Sequence, residues 1–297
     1  MDKNKQKVIK VTYGKRIKNI RIKSNRLIEC SGFDPVYFKR FSGIKAVENA
    51  LKEPIGTPSL EEICVGKEKI AILIDDNTRP TPTAKILPIV LRKLKNAGIK
   101  NNNISIIIAK GTHPELNKKD LEKKVGSLLV KKIEIIQHNS DNAKEIVFIG
   151  KTNQGSVFMN KCAVNADLRI GIGQLSLSPF AGISSGAKLW LPGISSSETI
   201  RQNHKLAEDK SSDFGIVEQN VLRLDMEKAA SLIGDNFYIG VALNHNRKII
   251  SAVAGDIVKA HRRGVENLKS HIIININNKT DIIVAFLKHF NKLLFLC

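Results

Sequence analysis

The stretch that decides the fold is "KIAILIDDNTRPTPTAKILPIVLRKLKNAGIKNNNISIIIAKG", residues 69–111. It begins with the short apolar run "KIAILIDD", which is typical of a strand buried on both faces. "TAKILPIVLRKLKNAG" then repeats apolar residues at helical spacing and ends in glycine, and "ISIIIAKG" is a second buried run. A helix between two buried strands predicts a β-α-β unit with parallel strands.

The same alternation continues toward the C-terminus. A polar helix is predicted over 117–125, a strand over 133–137 and another strand in "ADLRIGIGQL" at 166–175. Residues 237–255 predict two strands around an Asn-His-Asn turn, and helical spacing follows in "DIVKAHRRGVENL". These segments extend the parallel sheet of the first unit.

Toward the N-terminus, "KVIKVTYGKRIKNIRI" (7–22) alternates apolar and polar residues on both sides of Tyr13-Gly14. This pattern predicts an antiparallel hairpin whose basic positions face water. We therefore predict an α/β protein with a doubly wound mixed sheet and an N-terminal β-hairpin.

Composition narrows the class of protein. The net charge is +20, but the 48 Lys and Arg residues are scattered and form no aromatic-rich basic segment, so no nucleic-acid binding is predicted. No apolar run reaches the ~18 residues that a membrane span needs. Cys30, Cys64, Cys162 and Cys297 lie far apart and form no CxxC pair. They indicate reduced thiols and a cytoplasmic location.

Polar side chains follow the first buried strand, where ligands bind in open α/β sheets. In "DDNTRPTP" (75–82), Asp75 and Asp76 end the strand and Arg79 follows in a proline-stiffened turn. A guanidinium held there suits bidentate binding of a carboxylate or phosphate. An acidic helix N-cap with an arginine partner explains the same residues equally well.

A histidine follows the second buried strand, in "AKGTHPE" (109–115). An unperturbed imidazole titrates near neutrality, so His113 is a candidate general base at the same sheet edge as Arg79. A solvated loop histidine is the plainer alternative.

A glycine- and serine-rich stretch, "SPFAGISSGAKLWLPGISSSETIRQNH" (178–204), surrounds one lysine with apolar residues. Gly182 and Gly186 allow the backbone to approach a ligand closely. A lysine shielded from water has a lowered pKa, which makes Lys188 a candidate nucleophile.

The end of this stretch predicts a helix that begins at a capping box of Ser195 and Glu198 and carries His204 two turns in. His204 is placed to turn toward the lysine as a metal ligand. One histidine alone is a weak metal signal, so the other ligands of such a metal would come from something other than protein.

Six short motifs occur in order along the chain. They are "DNTRP", "GTHPE", "AGISSGAKLWLPG", a histidine sixteen residues beyond the lysine, "NVLRLDMEKAA" (220–230) and "AGDIVKAHRRG" (254–264). Together they resemble the nickel-pincer lactate racemase family of 2-hydroxy-acid racemases and epimerases. The resemblance runs from about residue 7 to about residue 285 and implies an isomerase that acts on a small, lactate-like 2-hydroxy acid.

The resemblance also implies a cofactor. Lys188 would form a thioamide link to a pyridinium-3-thioamide-5-thiocarboxylic acid mononucleotide that binds nickel through sulfur, carbon and sulfur, and His204 would be the fourth ligand. The surrounding loop residues Gly182, Ser185 and Gly186 are the further candidates for cofactor binding. Proteins that synthesise the cofactor are then expected partners, and a homodimer is a possible assembly.

For catalysis the resemblance assigns His113 as one of two histidine bases and Arg79 as the holder of the substrate carboxylate, with Asp76 beside them. The second base of the family stands ten residues before the lysine, where this chain has Ser178. Because a serine hydroxyl is a poor base, another group supplies the second base or the substrate is not lactate.

The resemblance implies two α/β domains in this chain: 1–267, the racemase-type N-terminal domain that carries the cofactor lysine, and 268–297, the start of a second α/β domain that is truncated here. "DIIVA" (281–285) matches the first strand of that second domain, and "HIIININN" (271–278) also has strand character. Activity impaired by the truncation is expected. The alternative function is a non-catalytic remnant or nucleotide-binding module of the same fold.

Overall fold

The computed structural model of this chain describes residues 6–13, 16–23, 43–244, 246–272, 283–287 and 292–296. The chain divides into two compact units, one of Met1–Asp34 with His271–Cys297 and the other of Pro35–Ser270. All the candidate site residues belong to the second unit. The predicted domain boundary at residue 267 stays a prediction.

The strands are β1 (Gln6–Tyr13), β2 (Arg16–Lys23), β3 (Ile70–Asp75), β4 (Ile104–Ala109), β5 (Glu134–Gln137), β6 (Ile146–Thr152), β7 (Gly155–Asn160), β8 (Leu168–Leu175), β9 (Leu177–Ser178), β10 (Gly182–Ile183), β11 (Asp235–Leu243), β12 (Ile249–Gly255), β13 (Ile283–Leu287) and β14 (Lys292–Leu296). The α-helices are α1 (Ile44–Lys52), α2 (Leu60–Ile63), α3 (Thr83–Asn96), α4 (Lys118–Val125), α5 (Lys161–Val164), α6 (Ser197–His204), α7 (Val221–Ala230) and α8 (Lys259–Ile272).

The second unit is built on a six-stranded sheet with the order β12-β11-β8-β3-β4-β5. Five strands run parallel, and β12 pairs antiparallel with β11 at one edge. The predicted doubly wound mixed sheet is therefore confirmed. Its three central strands, β8, β3 and β4, end side by side, so the loops that follow them meet at one edge.

Both faces of the sheet are covered. On one face, Ile70, Ile72 and Ile74 of β3 pack into a core with helices α1 to α4. On the other face, Trp190 lies against Gly171 of β8. Every residue of β3 is buried, which explains why this strand has a continuous apolar sequence and no alternation.

The other unit contains two antiparallel pairs, β1 with β2 and β13 with β14. The predicted N-terminal hairpin is thus present. On β2, residues 19, 21 and 23 are exposed and Ile20 and Ile22 are half-buried, as the alternation predicts. On β1 the prediction fails at Val8, which lies opposite Arg21 and is 49% exposed. The strand predicted at 281–285 is found at Ile283–Leu287; residues 281–282 lie outside the described residues.

Two local predictions are wrong. Helix α6 begins after Ser196, whose hydroxyl accepts a hydrogen bond from the Thr199 N–H, and not at a box of Ser195 and Glu198. Ser195 precedes the cap, and its hydroxyl donates to the Trp190 carbonyl. The strand predicted from residue 271 is wrong at its start, since residues 271–272 end α8; residues 273–278 lie outside the described residues.

None of the helices in the described ranges is long and apolar enough to cross a bilayer. Cys64 is buried, Cys162 is half-buried, and both are free thiols. Cys30 and Cys297 lie outside the described residues.

Candidate active site

A cavity of about 200 Å³ lies beyond the carboxyl ends of β3, β4 and β8. Residues predicted from separate motifs line it together. They are Asp76, Arg79, His113, Ser185, Lys188 and His204. The wall also includes Asp75, Lys110 and Gln174, which the sequence analysis did not assign to the site.

His113 is paired with Asp76 across two loops. Its Nδ1 lies 2.6 Å from Asp76 Oδ2, and the other carboxylate oxygen accepts hydrogen bonds from the backbone N–H, at 3.0 Å, and the hydroxyl of Thr78. A carboxylate only accepts, so in the neutral imidazole Nδ1 carries the proton and Nε2 the lone pair. The pairing fixes the orientation of the ring, whose side chain is 54% exposed, and its role as a base stays a prediction.

Arg79 has a free guanidinium at the cavity wall. In the described part of the chain its guanidinium contacts only Thr78, at 3.5 Å. The N-cap alternative for this segment is wrong, because α3 begins after Pro82 and no side chain caps it. The guanidinium is thus available to bind a carboxylate.

Asp75 and Lys124 form an ion pair that contacts the loop of Arg79. The side chain of Asp75 is buried and accepts hydrogen bonds from Lys124 Nζ at 2.6 Å, the Gln174 backbone N–H at 3.2 Å and the Thr81 hydroxyl. Lys124 Nζ also donates to the Arg79 carbonyl at 2.9 Å. This buried ion pair joins β3, α4 and β8 beneath the cavity.

The lysine loop is seated directly on the sheet. Residues 186–189 form one 3₁₀ turn that carries Lys188. A Cβ at Gly171 or Gly173 of β8 would overlap Trp190 or Ser185, so only glycine lets the loop lie this close. The Gly111 N–H donates to the Gly193 carbonyl at 2.9 Å, which ties the lysine loop to the loop of the histidine base.

Buried polar side chains bind the carbonyl groups of the glycine-serine stretch. Arg223 is fully buried and donates to the carbonyls of residues 181, 183 and 185. His261 Nε2 donates to the Ser184 carbonyl at 3.1 Å, and the Tyr238 hydroxyl donates to Ser185 Oγ at 2.9 Å. These contacts satisfy backbone groups that would otherwise be buried without partners.

Sequence analysis assigned no role to Arg223 and His261, although both lie inside motifs that carry the family resemblance. A signal was available for Arg223. It lies at helical spacing with Met226 and Ala230, so it shares the buried face of α7.

Gly182 and Gly186 have a different role from the predicted one. Both have positive φ, and a Cβ at Gly182 would overlap the Ile216 backbone, whereas one at Gly186 would overlap the His261 ring. The space beside these glycines is filled by the protein itself. They are needed for packing of the loop, and close approach to a ligand does not explain them.

Lys188 lies in an electrostatically unfavourable place for a charged amine. Burial, together with the positive charges of Arg79 and Arg223, lowers its pKa to about 8. An amine with this pKa is mostly protonated at pH 7, but its unprotonated, nucleophilic fraction is much larger than that of an ordinary lysine. Its Nζ lies 3.5 Å from the Ser178 hydroxyl, so the residue at the expected second-base position is next to the lysine.

His204 is the last residue of α6 and lines the cavity. Desolvation of its imidazole and the charge of Lys188 lower its pKa, which favours the neutral ring. A neutral imidazole is the form that binds metals. Within the described residues no group of three or more His, Cys, Asp or Glu side chains could hold a metal ion, so a metal at His204 needs ligands from a bound group.

The protein family called the lactate racemase N-terminal domain matches this chain over residues 13–215. This span contains the Asp76, Arg79, His113, Lys188 and His204 positions. The chain belongs to the lactate racemase N-terminal domain family. Enzymes of this name are isomerases.

Two lactate racemases show the relationship in detail. The chain is 36% identical to the lactate racemase of Lactiplantibacillus plantarum over 236 residues, which cover 78% of this chain and 55% of that racemase. It is 34% identical to the lactate racemase of Thermoanaerobacterium thermosaccharolyticum over 243 residues, which cover 80% of this chain and 56% of that racemase. The chain thus spans about half the length of these racemases.

Solved structures agree on the fold. The lactate racemase apoprotein from Thermoanaerobacterium thermosaccharolyticum superposes with a TM-score of 0.79 at 31% identity, over 89% of this chain and 63% of that structure. A protein from Thermotoga maritima superposes with a TM-score of 0.62 at 21% identity, over 75% of this chain and 62% of that structure. At this identity the likeness supports the fold alone.

Proposed function

We propose that this chain is the part of a 2-hydroxy-acid racemase or epimerase that holds the cofactor and one catalytic base. The observation that carries the proposal is a single cavity in which an unpaired arginine, a carboxylate-oriented histidine and a shielded lysine meet. Membership of the lactate racemase family supports the same reaction class.

The residues fit a covalently attached, metal-binding nucleotide. Lys188 combines a lowered pKa with a place in the cavity wall, as a lysine that forms a covalent bond requires. His204 supplies one neutral imidazole, and the described residues supply no complete metal site of their own. We propose that Lys188 holds the nickel-pincer nucleotide and that His204 is the protein's ligand to its nickel. When bound, that group would supply the acceptor for the C2 hydride.

The chain's own residues then have separate tasks. Arg79 binds the substrate carboxylate in a bidentate contact and so fixes the position of C2. His113 Nε2 removes the proton of the substrate hydroxyl, and Asp76 keeps the imidazole in the required tautomer and stabilises its protonated form. Cofactor-synthesis proteins as partners, a homodimer and a cytoplasmic location stay predictions.

Ser178 distinguishes this chain from a symmetric two-base racemase. Because its hydroxyl is a poor base near neutral pH, we propose that proton transfer on that side of the substrate is slow.

The test is interconversion of D- and L-lactate by the wild-type chain and by Ser178→His, each made together with the cofactor-synthesis proteins. A histidine at this place would be beside the lysine, so we expect interconversion to rise, by up to about 100-fold at the low end of general-base effects. Chiral chromatography of the product measures it. Cofactor loading of both chains without any interconversion would favour the non-catalytic, nucleotide-binding alternative.

A further inference from the structure

Lys110 is a further cation in the wall of the active-site cavity, in addition to Arg79 and Lys188. It follows strand β4 and is only 9% exposed. Its Nζ donates one hydrogen bond, of 2.7 Å, to the His113 carbonyl. An ammonium group has three N–H donors, so two of them have no protein acceptor in the part of the chain that the structure describes.

The carboxylates of the cavity wall do not neutralise Lys110. Asp75 is paired with Lys124, at 2.6 Å, and Asp76 with His113, also at 2.6 Å. The neighbouring His138 does not compensate either. Burial lowers its pKa to about 4, the positive charge of Lys110 acts in the same direction, and its neutral ring donates to the Ser195 carbonyl. Lys110 therefore has no counterion among these groups.

An ammonium group whose donors lack protein acceptors suits an anionic ligand, because hydrogen bonds between charged groups are the strong ones. The carbonyl contact with His113 requires only a neutral donor and does not explain a charged side chain here.

We propose that Lys110 forms an oxyanion subsite beside the carboxylate site of Arg79. The ligand of this cavity then carries a second anionic group, either the second carboxylate of a 2-hydroxy dicarboxylic acid or the phosphate of a bound nucleotide. The inference rests on the proposed function in taking Arg79 as the site of the first carboxylate.

The experiment measures binding of lactate, malate and inorganic phosphate to the chain by isothermal titration calorimetry. Lys110→Gln removes the charge and keeps a donor for the His113 carbonyl, whereas Lys110→Arg keeps the charge. Lys119→Met, at an exposed lysine of α4, removes one charge outside the cavity. Thermal unfolding confirms that each variant is folded.

We expect Lys110→Gln to weaken binding of malate, of phosphate or of both by about 10- to 100-fold, the range for a charge-assisted hydrogen bond. Lactate affinity should change less than about twofold, Lys110→Arg should restore binding, and Lys119→Met should have no effect. If only malate binding is weakened, the subsite is assigned to a substrate carboxylate. If only phosphate binding is weakened, the subsite is assigned to the phosphate of a nucleotide.

Unchanged malate and phosphate binding in Lys110→Gln would overturn the inference, as would equal losses in Lys119→Met or no binding by the wild-type chain. Arg79→Met separates this result from the proposed function. If lactate binding does not depend on Arg79, the proposed carboxylate site is wrong, whatever Lys110 does.

Discussion

His113→Gln is expected to lower interconversion of D- and L-2-hydroxy acids by about 10²–10⁴-fold in the cofactor-loaded chain, the usual contribution of a general base. Glutamine fills a similar volume but has no basic nitrogen. The substrate hydroxyl would then keep its proton, while Arg79 still holds the carboxylate. We expect kcat to fall and KM to stay within a few fold, as steady-state kinetics would show.

Two variants accompany this measurement. Glu115→Gln, at an exposed position two residues further along the same loop, should leave activity unchanged. Asp76→Asn should also reduce kcat, because an amide in place of the carboxylate favours the wrong imidazole tautomer. Activity of His113→Gln within a few fold of the wild-type chain would show that another group is the base.

Lys124→Met is expected to lower the free energy of unfolding by about 3–5 kcal/mol, because it leaves the Asp75 carboxylate buried without its ion-pair partner. Asp75 would keep only its hydrogen bonds from Thr81 and Gln174. The Arg79 carbonyl would lose its ammonium donor as well. Urea unfolding, followed by circular dichroism, measures the change.

The neighbouring residue provides the matched control. Lys123 lies on the same helix but is exposed, so Lys123→Met should change the free energy of unfolding by less than about 0.5 kcal/mol. A double variant, Asp75→Asn with Lys124→Met, should be more stable than Lys124→Met alone, since no unpaired charge is then buried. A single variant as stable as the wild-type chain would mean that the ion pair does not hold the loop.

Much of the fold was predictable because local pattern and tertiary structure agree. The continuous apolar runs of β3 and β4 and the helical spacing between them specify a parallel unit by themselves. The start of α6 was not predictable to the residue. Three consecutive serines, 195–197, all suit an N-cap, and local sequence does not decide among them. In the structure Ser196 Oγ accepts from the Thr199 N–H, whereas Ser195 Oγ donates to the Trp190 carbonyl.

Some residues of the candidate site were predictable from the sequence and others were not. Arg79, His113 and Lys188 follow sheet strands or interrupt an apolar loop, so their positions stand out in the sequence. Lys110 also directly follows a strand, β4, but neither Lys110 nor Lys124 stands out, because in a chain with 48 Lys and Arg residues a single lysine carries no sign of burial. Their importance comes from contacts with residues distant in the sequence, such as Asp75 with Lys124.

The most direct test of the account is intact-mass spectrometry of the chain made in a cell that produces the cofactor, compared with Lys188→Ala made in the same way. We predict that the wild-type chain gains the mass of one covalent adduct and that peptide mapping places this adduct on Lys188. Lys188→Ala should gain no adduct. His204→Ala should gain the adduct but lose nickel to a chelator. An adduct of the same mass on Lys188→Ala would contradict the assignment of this lysine, and an unmodified wild-type chain would contradict the covalent cofactor itself.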